Sequence, residues 1–461
     1  MMRLAVVVGA GLLAASPASA DPTSRRDLEA AVARIIAHQD ALSRLWPGFW
    51  PEGQPFIIHH PETGAVFAGD AAPEGPEFRP GALPGAVSSY ELDYPSGVVN
   101  TVALKYDGDV ADLETLFHEQ FHDHQTAAFR WLGEGSDEFV DVSLIPDLAG
   151  FAAAAEIERR ILAEALNARR PDDRRRLAAR YLTLRHHRLS TLDPAVATAE
   201  AYREWSEGTA EYVGVSGGAI VAGRPDRARA RIVEALRRDL NDAPGGFSIN
   251  WFRGRAYGVG AALAWLLDDL GVDWRADIET GAHLDARLAQ ALGEGAAQSD
   301  PVALLRRYGH HRLRQEMAGK LARAPLAPSS REEFLAGAPL RLAIHVAVPP
   351  VRASELEMSF HAAGMTPLPD QVLALTDVSY LTVRIGDVNL WISDRSVLTE
   401  MVGTGARQIV LLSSFVGLEP LAAAAGGEPA PVDLDLGWFR LKARAATVEV
   451  LENEIRLHLV P

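Results

Sequence analysis

The segment "TLFHEQFHDH", residues 115–124, sets two histidines four positions apart with a glutamate between them: His118, Glu119 and His122 spell H-E-x-x-H. On a helix this spacing puts both imidazoles on one face, where they can close on a single metal ion. Leu113, Leu116, Phe117 and Phe121 surround the pair with apolar residues, so the segment reads as a buried helix. Burying two imidazoles and a carboxylate without partners is costly. A zinc ion, Zn2+, meets that demand: the two neutral imidazoles bind it, and Glu119 faces the adjacent water as general base. The competing reading is a helix with satisfied, partly exposed histidines. His124 lies two residues past His122 and is rotated off the ligand face. His186, His187, His310 and His311 stand in Arg-rich helical surroundings and are expected at the surface.

A catalytic zinc site needs a third protein ligand and one open position. The segment offered for it is "EWSEGTAEYVG" at 204–214, where Glu207 begins E-G-x-A-x-Y and Gly208 permits close approach of two helices. A third segment, "AYGVGAALAWLL" at 256–267, contains Y-x-x-G-x-x-L. The three segments in this order resemble the gluzincin zinc metallopeptidases of the peptidase MA-like superfamily, in particular the aminopeptidase N-like branch, over roughly residues 95–290. The resemblance implies His118, His122 and Glu207 as metal ligands, Glu119 as general base, Tyr257 as oxyanion donor and Gly260 at a helix contact. It also points to Glu211, one turn after Glu207, as a carboxylate that orients a ligand histidine, with Asp123 a second candidate for that task. The competing readings are a surface carboxylate for Glu207, a packing ring for Tyr257 and solvated side chains for Glu211 and Asp123. The chain departs from the family in lacking the G-x-M-x-N segment that aminopeptidases use to hold a free amine. It also places about 84 residues between His122 and Glu207, far more than in aminopeptidases. Aminopeptidase specificity therefore does not carry over.

These residues need a scaffold. The pattern predicts an α+β protein: a helix-rich zincin-type domain with a small N-terminal β-sheet over residues 21–335, and a smaller β-rich domain over 336–461. Residues 26–46 read as one amphipathic helix, "FIIHHPETGAVFAG" as a hairpin, and 71–88 as loop. A strand at 97–105 precedes the helix that carries the motif, which runs from about Ala111 to Leu132. That strand is expected to offer an edge to an extended peptide. Residues 144–216 read as nearly continuous helix broken at "RRPDD" and "LSTLDPA", and a further helix covers 251–271. From about 340 onward, "LRLAIHVAV", "YLTVRIGDVNLWI", "RQIVLLSSF", "WFRLKARAATVEVL" and "EIRLHLV" alternate as strands.

The chain has 461 residues and a net charge of −16, which leaves no basic field for nucleic acid. The densest basic run, "ARRPDDRRRLAAR" at 168–180, reads as a solvated helix face. "MMRLAVVVGAGLLAASPASA" has a positive Arg3, an apolar stretch and a small-residue end, the pattern of a secretory signal peptide cleaved after Ala20. No later run is long enough to span a bilayer, so the mature chain is expected to be periplasmic or secreted without a transmembrane segment. There is no cysteine, so packing alone must hold the fold. The expectation from the sequence is an exported zinc metallopeptidase acting on a peptide or protein. The alternatives are a zinc hydrolase of a non-peptide amide or ester, and a non-catalytic periplasmic binding or scaffold protein. The intact Glu119 weighs against a pure binder.

Overall fold

The computed structural model describes residues 23–81, 83, 87–94, 97–131, 144–238, 249–293, 299–321, 331–336, 340–346, 357–368, 372–393, 395–402, 406–413, 429–436, 438–451 and 454–459. The expected signal peptide and its cleavage point lie outside the described residues, as do residues 337–339 of the join expected near 330–340. The fold is α+β and divides into two compact units, one helix-rich, within Ser16–Leu240 and Phe252–Gly319, the other β-rich, within Lys320–Pro461 together with Asn241–Trp251. No helix among the described residues is long and apolar enough to cross a membrane.

The helix-rich unit opens with α1 (Arg25–Ala37) and a short α2 (Gln39–Leu42). Ser24 caps α1 in a reciprocal box with Asp27. The expected single helix over 26–46 is therefore two, broken at His38. Five strands follow: β1 (Phe56–His60), β2 (Gly64–Ala68), β3 (Glu77–Arg79), β4 (Val87–Tyr94) and β5 (Gly97–Lys105). They form one sheet in the order β3-β2-β1-β5-β4. The stretch read as loop thus holds β3 and the start of β4. Because β4 pairs antiparallel with β5 from Val87↔Leu104 to Tyr94↔Gly97, while β1 pairs parallel on its other side, β5 is an inner strand. The expectation that residues 97–105 offer a free edge is corrected: the edge on that side is β4.

The described elements that follow are helices: α3 (Val110–Ala128), α4 (Leu148–Asn167), α5 (Pro171–Leu189), α6 (Pro194–Arg203), α7 (Thr209–Val221), α8 (Asp226–Arg237), α9 (Ile249–Asp269), α10 (Arg275–Glu279), α11 (Leu284–Leu292), α12 (Pro301–Arg307) and α13 (His310–Leu321). Between α6 and α7 the chain does not break but widens into a π-helical turn over Glu204–Gly208. The apolar side of α3 lies on the "WPGFW" stretch. Trp46 meets Phe121 edge-on at 5.0 Å, and Trp50 meets Phe117 at 5.0 Å. Trp50 is buried in the left-handed region, at φ 58°, an unusual conformation for a bulky residue.

Behind the π-turn runs a buried ionic network. Arg188 on α5 bonds Glu158 at 2.7 Å and Glu200 at 2.9 Å. Arg185 bonds Glu204 at 2.8 Å and Asp285 at 2.7 Å, and Arg255 on α9 also pairs with Glu200. Burial disfavours the charge on Glu200, but Arg188, Arg255 and Arg185 outweigh it and hold its carboxyl well below the usual range. Such a network is poor as net stabilisation but exacting about register, since each unpaired charge would be stranded in the core. It ties α4, α5, α6, α9 and α11 to the first residue of the π-turn.

Among its described residues the β-rich unit has one short helix, α14 (Arg331–Ala336), and nine strands: β6 (Leu340–Val346), β7 (Glu357–Leu368), β8 (Val372–Ile385), β9 (Val388–Ile392), β10 (Arg395–Val402), β11 (Ala406–Ser413), β12 (Ala430–Asp435), β13 (Phe439–Val450) and β14 (Glu454–Leu459). The long β8 pairs with β10 through Val372–Val378 and with β9 through Leu381–Ile385, so the ladder β8-β9-β13-β14-β6-β11-β10 returns on itself. Alternation sends Leu381, Val383, Leu390, Ile392, Phe439, Leu441, Ile455 and Leu457 inward, while Arg440, Lys442 and His458 stay in solvent.

Candidate metal centre

α3 supplies His118, Glu119 and His122, and the π-turn supplies Glu207. Two close approaches of backbone make this meeting possible. On α7, a Cβ at Gly214 would stand 2.7 Å from the Glu114 carbonyl oxygen and 3.1 Å from His118 Cβ, so a larger residue there would drive α3 away. Gly208 and Gly260 make the second approach, between the π-turn and α9. The sequence predicts a close helix approach at Gly208 and a helix contact at Gly260, without pairing the two.

The structure brings the three expected ligands together. His118 Nε2 and His122 Nε2 are 3.1 Å apart, and each lies 3.5 Å from Glu207 Oε2. They are the one group of three or more potential ligand residues among the described residues whose atoms converge. Atoms held about 2.0–2.2 Å from a tetrahedral ion stand about 3.3–3.6 Å apart; the two 3.5 Å sides of this triangle fall in that range and the 3.1 Å side just below it.

The outer nitrogens of both rings also meet acceptors. His118 Nδ1 faces Glu211 Oε2 at 3.5 Å, and His122 Nδ1 meets Gln125 Oε1 at 2.7 Å. With a proton on each Nδ1, the two Nε2 lone pairs point at each other across 3.1 Å, an arrangement relieved by a proton shared between them or by a metal ion. The charge balance says the same. Burial opposes charge on both rings, yet on His118 the bonds to Glu207 and Glu211, with the field of Glu119, overcome it and push the ring up to about 10. Burial likewise opposes charge on His122, and Glu207 and Glu119 raise it in spite of His118. The carboxylates around the two rings thus favour positive charge there, and two imidazoles with a carboxylate could hold a metal ion.

The remaining expected residues fall as follows. Glu119 lies on α3 between the two ligands, 9% exposed. Tyr257 stacks on the His118 ring, with centroids 5.5 Å apart and planes at 10°. Glu211 reaches the outer nitrogen of His118. Asp123 is exposed and accepts from the Gln120 amide at 3.3 Å; the described residues show no bond from it to a ligand ring. The oxygen acceptor on His122 is Gln125, which sequence reasoning passed over. Its only signal was its place three residues past His122, on the same side of α3. His124 is turned toward Phe49, Phe121 and Glu279, away from the ligand triangle. His186 and His311 are exposed, and His187 and His310 half-buried. No protein-family model, curated protein or solved structure matches the chain.

Proposed function

We propose that this chain is an exported zinc-dependent hydrolase of gluzincin type that cleaves peptide bonds in a peptide or protein. The observation that carries the reading is the ligand triangle, two Nε2 atoms and one carboxylate oxygen at 3.1, 3.5 and 3.5 Å, with the base candidate Glu119 on the same helix. A zinc ion bound by His118, His122 and Glu207 supplies a Lewis acid and lowers the pKa of a neighbouring water. The chain's own residues do the rest. Glu119 accepts the proton of the attacking water and delivers it to the departing amine. Tyr257, held against His118, directs its phenol to the oxyanion that forms on the carbonyl. Glu211 fixes the ring of His118 by taking its Nδ1 proton in a hydrogen bond.

The test is metal analysis of the purified mature protein, followed by a digest of an unbiased peptide library with the wild type and Glu119→Gln. Both proteins should carry one zinc, and only the wild type should cleave, because an amide cannot accept the water's proton. A wild type that holds no zinc after zinc loading would sink the proposal. Bound zinc with cleavage of esters or non-peptide amides alone would move the reading to that class. Equal cleavage by the variant would assign the base elsewhere.

A further inference from the structure

We infer that Gln125 is a positioning residue that sets the tautomer of His122 from the backbone of the π-turn, and so makes one ligand ready only when the turn bearing another is in place. The inference rests on the metal-site reading above and not on peptide hydrolysis.

The direction of every hydrogen bond in the chain is fixed by groups with no choice. A backbone carbonyl can only accept. The Thr209 hydroxyl, fully buried, lies 2.7 Å from the Trp205 carbonyl and therefore donates to it. Its lone pair then accepts from Gln125 Nε2 at 2.8 Å. The same Nε2 donates to the Ser206 carbonyl at 2.7 Å. Both amide protons are thereby spent, and the amide cannot be turned over, because Oε1 in that place would face the Ser206 carbonyl. Oε1 is left toward His122 Nδ1 at 2.7 Å, and being an acceptor it requires a proton there. The neutral ring then has its lone pair on Nε2, the atom that faces His118 Nε2 and Glu207. Gln125 is 7% exposed, so water is a poor substitute for these partners.

The acceptors are not incidental. Trp205 and Ser206 belong to the π-turn Glu204–Gly208, and Glu207 is the next residue. A regular α-helix would wind these residues more tightly and shift the two carbonyls relative to α3; π-bulges recur at functional sites for this kind of reason. One side-chain amide thus senses the shape of the turn that presents Glu207 and transmits it to the imidazole with which Glu207 shares a ligand face.

Gln125→Leu keeps the volume and removes all three bonds, while Thr209→Val removes one acceptor and Thr209→Ser restores it. Two quantities are read on folded protein, with far-UV circular dichroism as the check: zinc affinity by chelator competition, and the His122 tautomer from long-range 1H–15N correlation on the alkaline side of its titration in zinc-free protein. Gln125→Leu should weaken zinc by about 10–100-fold and turn a single Nδ1–H tautomer into a mixture. Thr209→Val should lie between, and Thr209→Ser near wild type. Zinc affinity within about twofold of wild type together with an unchanged tautomer in Thr209→Val and in folded Gln125→Leu would overturn the inference. If Gln125→Leu does not fold, Thr209→Val against Thr209→Ser decides alone. If the wild type binds no zinc, the function proposed above fails, and the tautomer still decides the role of Gln125.

Discussion

Gly208 in the π-turn and Gly260 on α9 touch backbone to backbone: a Cβ on Gly208 would stand 2.5 Å from the Cα of Gly260, and a Cβ on Gly260 would stand 2.6 Å from the Cα of Gly208 and 2.6 Å from the Glu204 carbonyl oxygen. Nothing at that contact is a flexible side chain that could move aside. The turn bearing Glu207 and the helix bearing Tyr257 are therefore in direct backbone contact, and Arg255, five residues before Gly260 on α9, is pinned by Glu200.

Gly260→Ala should push the two segments apart. We expect a loss of about 1–3 kcal/mol in unfolding free energy from overpacking, partly offset by the alanine's better helix propensity. Zinc affinity should fall as well, because displacement of the turn moves Glu207 away from the histidines. Chemical denaturation and chelator competition on the same preparation measure both. A variant as stable as wild type with unchanged zinc affinity would show that α9 does not brace the ligand turn.

How much of this was legible in the sequence depended on the range of the interactions. His118, Glu119 and His122 declare themselves because helical periodicity alone sets them on one face. Glu207, Gly208, Tyr257 and Gly260 were legible as short motifs whose meaning lay in their order. The π-turn was not, since nothing in "EWSEG" distinguishes a widened turn from an ordinary one. Strand β4 lies between the run read as loop and the strand at 97–105 and was passed over, although Tyr90, Leu92 and Tyr94 alternate with Ser89, Glu91 and Asp93; its pairing with β5 shows the strand. Arg185 and Arg188 flank His186 and His187, whose Arg-rich surroundings the sequence placed at the surface. Their partners Glu158, Glu200, Glu204 and Asp285 come from other helices, so their burial is a tertiary fact. Gln125 escaped for the same reason: its two acceptors lie more than eighty positions further along the chain.

Tyr257 separates chemistry from packing. Its ring lies flat on His118, and phenylalanine preserves that stack. Tyr257→Phe should therefore keep zinc content, melting temperature and KM near wild type. A lost oxyanion donor should still lower kcat by about 10²–10³-fold, since it acts on the transition state more than on bound substrate. A variant with full kcat and a shifted melting temperature would make Tyr257 a packing residue and leave the ligand triangle untouched.

The protonation of the ligand histidines gives the last prediction, and its sign is settled by His118. In the metal-free protein burial disfavours the charged ring, but Glu207 and Glu211 outweigh burial and push it up to about 10 from 6.5. A group raised on folding contributes stability that is fully present below its unfolded value and is lost as pH climbs through the folded one. Metal-free protein should thus lose stability progressively between about pH 6.5 and 10. Zinc competes for the same nitrogen, so each proton it displaces tightens its apparent affinity about tenfold per pH unit within that window. Calorimetry at neutral pH in two buffers of different ionisation enthalpy should then register proton release. Zinc affinity that does not change between about pH 6.5 and 8.5, with no proton released, would mean that His118 is not a ligand. Gain of affinity with pH alongside loss of metal-free stability is the paired signature of a ring that trades a proton for a metal.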